Sequence, residues 1–179
     1  MTNNHGTWFD VTWSAVASFT GNATAVRAAA REVTQQRIAY QILPNGTEWI
    51  ELERNVPSGY CQYNLLALGQ AADIAASNAE AGAADVWHFA TPDGRSFRRA
   101  IDWLMPYATG QAKWPYPQPE APDWLSLWQT LRRASIAFRN RTYEEAGCVL
   151  MARAGKLSEY TASTMNVQLP PLFAVNCSA

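Results

Sequence analysis

The run Asn-Asn-His-Gly-Thr-Trp, from Asn3 to Trp8, contains side chains that can take part in proton chemistry. A histidine such as His5 titrates near neutral pH and can act as a base or, when protonated, as the partner of an anion. The amide of an asparagine such as Asn4 can donate hydrogen bonds to an oxyanion. The same pattern is also typical of a capped helix start that carries a surface histidine. The residues by themselves support both interpretations.

A second group of candidate residues begins with Arg54, in a segment without helical periodicity that covers residues 48–57. Tyr60, Tyr63 and Asn64 follow it and share one helical face, because residues three or four positions apart lie together on a helix. An arginine can hold a carboxylate through two parallel hydrogen bonds, and a tyrosine can exchange a proton with a reacting carbon or oxygen. Tyrosines of a helical core have the same spacing, so this pattern also has two interpretations.

Both groups lie at the beginnings of predicted helices. We expect Thr7 to cap a first helix, which stops at Gly21. A second helix is predicted for residues 23–43, which end at a Pro-Asn-Gly turn. A Pro-Ser-Gly breaker at residues 57–59 precedes a long helix predicted for residues 60–81. The predicted helices therefore bring the two candidate groups to helix starts.

Further helical patterns follow in the second half of the chain. Ser96 can cap a helix that closes at Pro106, and Asp123 can cap another. Thr142 can open a further helix. Residues 114–122 read WPYPQPEAP and are predicted to form an extended connector. About six helices joined by turns predict an all-α array of antiparallel helical hairpins.

Composition and charge exclude several classes of protein. Apolar residues make up 48% and charged residues 16% of the chain, which predicts one globular domain over residues 1–179, with a less regular tail from residue 156. No run of about 18 apolar residues is present to span a membrane. The net charge of -1, with scattered Lys and Arg, does not fit a nucleic-acid binder. The three cysteines are far apart, so no metal site is predicted.

Three segments of the chain read NNHGTWFDV, ELERNVPSGYCQYNLLAL and DVWHFATPDGRSFRRAIDWLMPY, and together they cover roughly residues 3–107. In order and spacing they resemble the alginate lyase domain family of polysaccharide lyases. The resemblance implies an incomplete (α/α) toroid of antiparallel helical hairpins, with a concave groove that binds alginate or another acidic polyuronate. It also implies cleavage by β-elimination, and no cofactor or metal ion is expected.

The resemblance assigns a role to each matching residue. Asn4 and His5 would neutralise or deprotonate the substrate near its C5 atom, and Arg54 would neutralise the uronate carboxylate. Tyr60 would act as the acid and as a candidate for the base. Tyr63, which also fits an aromatic position of the family motif, is the alternative to Tyr60.

Trp8 would stack on the substrate or support the groove. Eight tryptophans in the whole chain fit surfaces that stack on sugar rings, and they fit wide helix interfaces equally well. The alternative function is therefore a non-catalytic helical module that binds carbohydrate through aromatic and arginine side chains. No pattern in the sequence specifies an oligomeric state.

Departures from the family pattern affect the expected activity and location. Many relatives have a histidine directly before the tyrosine, where this chain has Gly59, and a basic residue soon after the arginine, where it has Val56. Relatives also have helical sequence before the Asn-Asn-His motif, so we expect this chain to be the C-terminal portion of the toroid, with impaired activity. Relatives are periplasmic or secreted, and we expect the same location, although no signal peptide precedes the motif.

Overall fold

Helices account for almost all of the regular structure. The computed structural model describes residues 1–155, and within them the only extended pairings are two isolated bridges, Ile42 with Glu48 and Ala90 with Ser96. The prediction of an all-α chain is confirmed. The helices are α1 (Asn4–Phe19), α2 (Ala23–Glu32), a π-helical segment (Val33–Ile38), α3 (Ala39–Gln41), α4 (Trp49–Leu52), α5 (Pro57–Ser77), a 3-10 turn (Ala79–Ala81), α6 (Phe97–Ala108), α7 (Leu127–Ala137) and α8 (Arg141–Arg153).

The long helices form two layers of mutually parallel helices. Within each layer, residues early in one helix contact residues early in its neighbour, and late residues contact late residues, so the helices run parallel. One layer contains α1, α5 and α7, and the other contains α6 and α8. The contacts that establish these directions are Thr7–Asn64 and Ser18–Asn78 between α1 and α5, Gln62–Leu127 and Asp73–Arg133 between α5 and α7, and Asp102–Tyr143 and Ala108–Arg153 between α6 and α8.

Short connections join successive helices into antiparallel hairpins. Residues 20–22 connect α1 to α2, and residues 138–140 connect α7 to α8. Connections of this length leave no room for a helix to return in the same direction, so each pair is antiparallel. An arrangement in which helices are parallel within each of two layers, and in which antiparallel hairpins join the layers, fits an (α/α) toroid-type fold. The predicted fold class is confirmed.

The core is centred on α5, which packs against α1, α4 and α7. Its small side chains allow these neighbours to approach closely. The predicted buried stripe of α5 is confirmed, since Leu65, Leu68, Ala72 and Ala75 are all 3% exposed or less.

One face of α1 is apolar and faces solvent. Phe9 is 66% exposed, Val16 57% and Phe19 92%. No helix within residues 1–155 covers this face, so α1 forms an edge of the described array. None of these described helices is both long and apolar enough to cross a membrane.

Two helix starts differ from the predicted ones. Asn3 caps α1 instead of Thr7, because Asn3 Oδ1 accepts the backbone N–H of His5 at 3.2 Å while Thr7 is buried inside the helix packing. The long helix α5 begins at Pro57, three residues before Tyr60. A proline at the first helical position lacks only an N–H group that has no partner there, so it starts the helix rather than breaking it.

The second half shows two further differences. Ser126 precedes α7, whereas Asp123 was the predicted cap; Asp123 Oδ1 instead accepts the Leu125 N–H at 2.9 Å in the turn before the helix. Pro106 lies inside α6 and does not close it. Residues 114–122 contain no helix, as predicted. The expected irregular tail from residue 156 lies outside the described residues, and a single domain over the whole chain stays a prediction.

Candidate active site

Asn4 is fully buried in the first turn of α1, where it is held by Glu51 of α4. The Asn4 backbone N–H donates to Glu51 Oε1 at 2.5 Å, and Asn4 Nδ2 donates to Glu51 Oε2 at 2.8 Å. Glu51 is 1% exposed, so both hydrogen bonds are shielded from water. Such bonds are stronger in the protein interior than in water. One carboxylate therefore fixes both the backbone and the amide of this candidate residue.

The chain that leads into α1 is tied to Arg37, in the π-helical segment. Arg37 Nη1 donates to the Met1 carbonyl at 2.8 Å, and Arg37 Nε forms a buried ion pair with Asp10 Oδ2 at 2.6 Å. Gly6 lies against the same two groups: a Cβ atom at Gly6 would overlap the Met1 carbonyl oxygen and come within 2.9 Å of the guanidinium. The glycine of the Asn-Asn-His-Gly motif is therefore required by the close approach of the Met1 carbonyl and Arg37 to α1.

Asn64 of α5 is a buried junction beneath the candidate residues. Its Oδ1 accepts the Thr7 hydroxyl at 2.7 Å, and its Nδ2 donates to Gln41 Oε1 at 2.8 Å and to Glu48 Oε2 at 2.7 Å. Gln41 Nε2 in turn donates to the Asn3 carbonyl at 3.3 Å. Because these bonds use both N–H groups and the oxygen of Asn64, they fix α1, α3 and α5 in one relative position.

Glu48 and Cys61 share this buried environment. Burial raises the pKa of Glu48 well above its ordinary value of 4.5; the Asn64 hydrogen bond opposes the rise and the charge of Glu51 adds to it. Burial also raises the pKa of the Cys61 thiol, and the nearby Glu48 adds to that effect. A thiol held in its protonated form is a poor nucleophile, so Cys61 is a core residue. Within residues 1–155, no group of three or more His, Cys, Asp or Glu could hold a metal ion.

Arg54 and Tyr60 lie together around the start of α5. Arg54 Cζ is 4.0 Å from the centroid of the Tyr60 ring, and both side chains are partly exposed. The Arg54 backbone N–H donates to the Glu51 backbone carbonyl at 3.2 Å, so Arg54 lies one turn after Glu51, the residue that holds Asn4. A guanidinium in this position can bind a carboxylate next to a phenol.

Trp8 and Tyr63 form an aromatic pair across α1 and α5. Their ring centroids are 4.9 Å apart, and Tyr63 is 48% exposed, so it is not the core residue that its spacing also allowed. The His5 side chain is exposed in the same first turn of α1 as Asn4, and its imidazole forms no hydrogen bond to another described residue. The imidazole is therefore accessible to a ligand at this surface.

Glu51 and the buried role of Asn64 were not predicted. Asn64 was recognised as a neighbour of Tyr60 and Tyr63 on the helix, and its position next to the apolar stripe of Leu65 and Leu68 could have indicated that it is buried. Glu51 lies in the segment of residues 48–57, which shows no helical periodicity, although four of its residues form α4. A helix of one turn is too short to produce a periodic pattern, so nothing in the sequence marked Glu51 as buried.

Comparison with known proteins agrees with this fold. The alginate lyase family matches residues 1–114. The crystal structure of an alginate lyase from Bacteroides ovatus shares 33% sequence identity and a TM-score of 0.74, over 82% of this chain and 38% of that one. This chain thus spans well under half of that relative's length. A search among curated proteins finds no match. Because the family matches more than half of the residues, the protein belongs to the alginate lyase family.

Proposed function

We propose that the protein is a polysaccharide lyase that cleaves alginate or a related polyuronate by β-elimination. The observation that carries the proposal is that Glu51, which holds Asn4 at the start of α1, lies one turn before Arg54 and its contact with Tyr60 at the start of α5, in a chain of the alginate lyase family. Two groups of residues are involved. One group is Asn4 with His5, and the other is Arg54 with Tyr60. Glu51 contacts a member of each group: its carboxylate accepts two hydrogen bonds from Asn4, and its backbone carbonyl accepts the backbone N–H of Arg54.

The chemistry of β-elimination explains why these residue types are needed. A base removes the C5 proton of the uronate, and the electron pair left behind forms a C4=C5 double bond. The C4–O bond then breaks, and the leaving oxygen takes a proton from an acid. Negative charge grows on the uronate carboxylate in the transition state, so cations and hydrogen-bond donors aimed at it lower the barrier.

The contacts support a separate role for each residue. Arg54 binds the uronate carboxylate, while Asn4 and His5 act near C5, as donor and as neutralising or basic group. The contact between Arg54 and Tyr60 supports Tyr60 as the acid and as a candidate base, because a carboxylate held by Arg54 lies beside this phenol. Tyr63 remains the alternative.

The aromatic pair supports a role in holding the sugar. Trp8 and Tyr63 present a partly exposed ring surface next to the first turn of α1, and such surfaces stack against sugar rings. The same observation favours the second candidate function, a carbohydrate-binding module without turnover. Impaired activity, inferred from Gly59 and Val56, stays a prediction, as does a periplasmic or secreted location.

The test is the ultraviolet absorbance of the new C4=C5 double bond, followed with alginate, polymannuronate, polyguluronate and glucuronan. We expect Tyr60→Phe to lower the rate by about 100-fold or more, the usual effect of losing a general acid or base. Tyr63→Phe tests the alternative, and Tyr40→Phe is the matched control, since Tyr40 is 45% exposed on another helix. Unsaturated product formed at an undiminished rate by a Tyr60→Phe, His5→Ala double variant would exclude the proposal. Binding without product would favour the carbohydrate-binding module.

A further inference from the structure

We propose that Glu51 is a positioning residue for the lyase reaction, one that holds the Asn4 amide in the orientation the substrate carboxylate requires. The inference rests on the proposed function and adds a residue that would not itself touch the substrate. Its basis is the pair of buried hydrogen bonds from Asn4 to the two oxygens of one carboxylate.

Glu51 contributes to the start of α1. Asn4 is the first residue of α1, and the first four N–H groups of a helix have no partner within the helix. Asn3 Oδ1 accepts the His5 N–H, whereas the Asn4 N–H donates to Glu51, 47 positions away in the sequence. Glu51 thus caps α1 from another element, and its negative charge is favourable at the positive end of the helix dipole.

Glu51 also orients the side chain of Asn4. Its Nδ2 donates to Glu51 Oε2 at 2.8 Å, and a flipped amide would bring two oxygen acceptors together instead. Glu51 therefore fixes which end of the amide faces α4. The amide of the fully buried Asn4 therefore keeps one orientation relative to α1 and to the exposed His5 beside it, and a preset orientation is the property that a hydrogen-bond donor in an active site needs.

Glu51 also lies close to Arg54 along the chain. The Glu51 backbone carbonyl accepts the Arg54 backbone N–H at 3.2 Å, so the residue that orients Asn4 belongs to the turn that leads to Arg54. Glu48, the other buried carboxyl group nearby, bonds to Asn64. Of the two buried glutamates among the described residues, Glu51 is the one that hydrogen-bonds to Asn4, and its backbone carbonyl lies in the turn that leads to Arg54.

The expected kinetic effect follows from where the charge grows. Because the uronate carboxylate is more negative in the transition state than in the bound substrate, a misplaced Asn4 amide lowers kcat more than it raises KM. In Glu51→Gln one carboxylate oxygen becomes an NH2 group, so two donors from Asn4 face a single acceptor. We expect kcat to fall by about 10- to 100-fold, as for a displaced catalytic group, with KM changed by less than about threefold.

The experiment compares four proteins in the unsaturated-product assay, well below their melting temperatures. They are the wild type, Glu51→Gln, Glu51→Asp and Glu53→Gln, the last as the matched control because Glu53 is exposed beside α4. Glu51→Asp keeps two acceptor oxygens but withdraws them, and we expect a rate between those of the wild type and Glu51→Gln. It also carries the comparison if Glu51→Gln does not fold.

A double-variant cycle separates positioning from a general loss of structure. If Glu51 acts through Asn4, Glu51→Gln causes no further loss of kcat in an Asn4→Ala background. An equal loss in both backgrounds, or a Glu51→Gln rate equal to that of Glu53→Gln, overturns the inference while the lyase assignment stands. A wild-type chain that forms no unsaturated product overturns the proposed function, and this inference with it.

Discussion

The protein has a polar interior beneath the candidate site and an apolar interior elsewhere. Within residues 1–155, the buried polar side chains lie at or before Asn64, with the exceptions of Thr130 and Arg132. Those nearest the site bond to one another across α1, α3, α4 and α5. They are Asn4, Thr7, Gln41, Glu48, Glu51 and Asn64.

The region around α6, α7 and α8 is filled mainly by apolar and aromatic side chains. One aromatic group joins the segment before α6 to the ends of α6, α7 and α8, and another covers α6 with the Pro-rich connector. The first contains Trp87, Phe97, Phe138 and Tyr143, and the second contains Trp103, Tyr107, Trp114, Tyr116 and Trp124.

The comparison shows how stability and geometry are divided in this chain. Apolar burial is non-directional, so it stabilises the fold without fixing the angle of any one side chain. A hydrogen bond is directional, and a polar group that is buried without a hydrogen-bond partner costs free energy. The polar region is therefore a costly way to gain stability and an effective way to orient a site, where displacements of about 1 Å matter.

The largest expected effect on stability comes from the apolar region. Leu131 of α7 is completely buried, and Leu131→Ala leaves a cavity that should lower the free energy of unfolding by about 3 to 5 kcal/mol. Urea unfolding measures this, with Ile136→Ala as control, since Ile136 is 39% exposed on the same helix. At a temperature where the variant is folded, the lyase rate per folded molecule should equal that of the wild type. A reduced rate would show that the two regions are not separable.

The next effect comes from the polar region, where a substitution should lower both the free energy of unfolding and the lyase rate. Asn64→Leu has nearly the same shape but removes the hydrogen bonds that Thr7, Gln41 and Glu48 make to Asn64. Buried groups without partners should lower the free energy of unfolding by about 2 to 3 kcal/mol. The lyase rate per folded molecule should fall as well, because α1 loses its fixed position on α5. Gln70→Leu, at a partly exposed position of α5, is the control, and an unchanged rate in Asn64→Leu would contradict the comparison.

The apolar region was the easier one to predict from the sequence. The stripe of Leu65, Leu68 and Ala72 repeats with the helical period, so both the helix and its buried face followed directly. The proline connector and the Ser96 cap were also recognised, because these residue types restrict the backbone locally.

The polar region could be predicted only in part. The motif containing Asn4 and His5 marked the site, yet nothing local shows that Glu51 reaches Asn4. Thr7 was expected to cap a helix because threonine usually does so, and its bond to Asn64 across 57 positions overrides that tendency. Long-range hydrogen bonds leave no periodic trace, which is why the residues that orient the site required the structure.

The smallest effect concerns Glu48 and depends on pH. Because burial raises its pKa, folded Glu48 keeps a proton at pH values above about 4.5, where an unfolded glutamate has lost it. The unfolded state then binds fewer protons than the folded state, so stability falls as pH rises through the interval between the unfolded and the folded pKa. Glutamine resembles the protonated form and accepts the same Asn64 hydrogen bond, so Glu48→Gln removes this dependence.

The measurement is the melting temperature of the wild type and of Glu48→Gln from about pH 5 to pH 8, reported as a difference at each pH. We expect the difference to move in favour of Glu48→Gln as pH rises, while the exposed Glu53→Gln control shows no such trend. A difference that is constant or moves the other way would mean that folded Glu48 is ionised. A buried carboxylate at Glu48 would then lie under the site and add to the electrostatic cost of binding an anionic substrate.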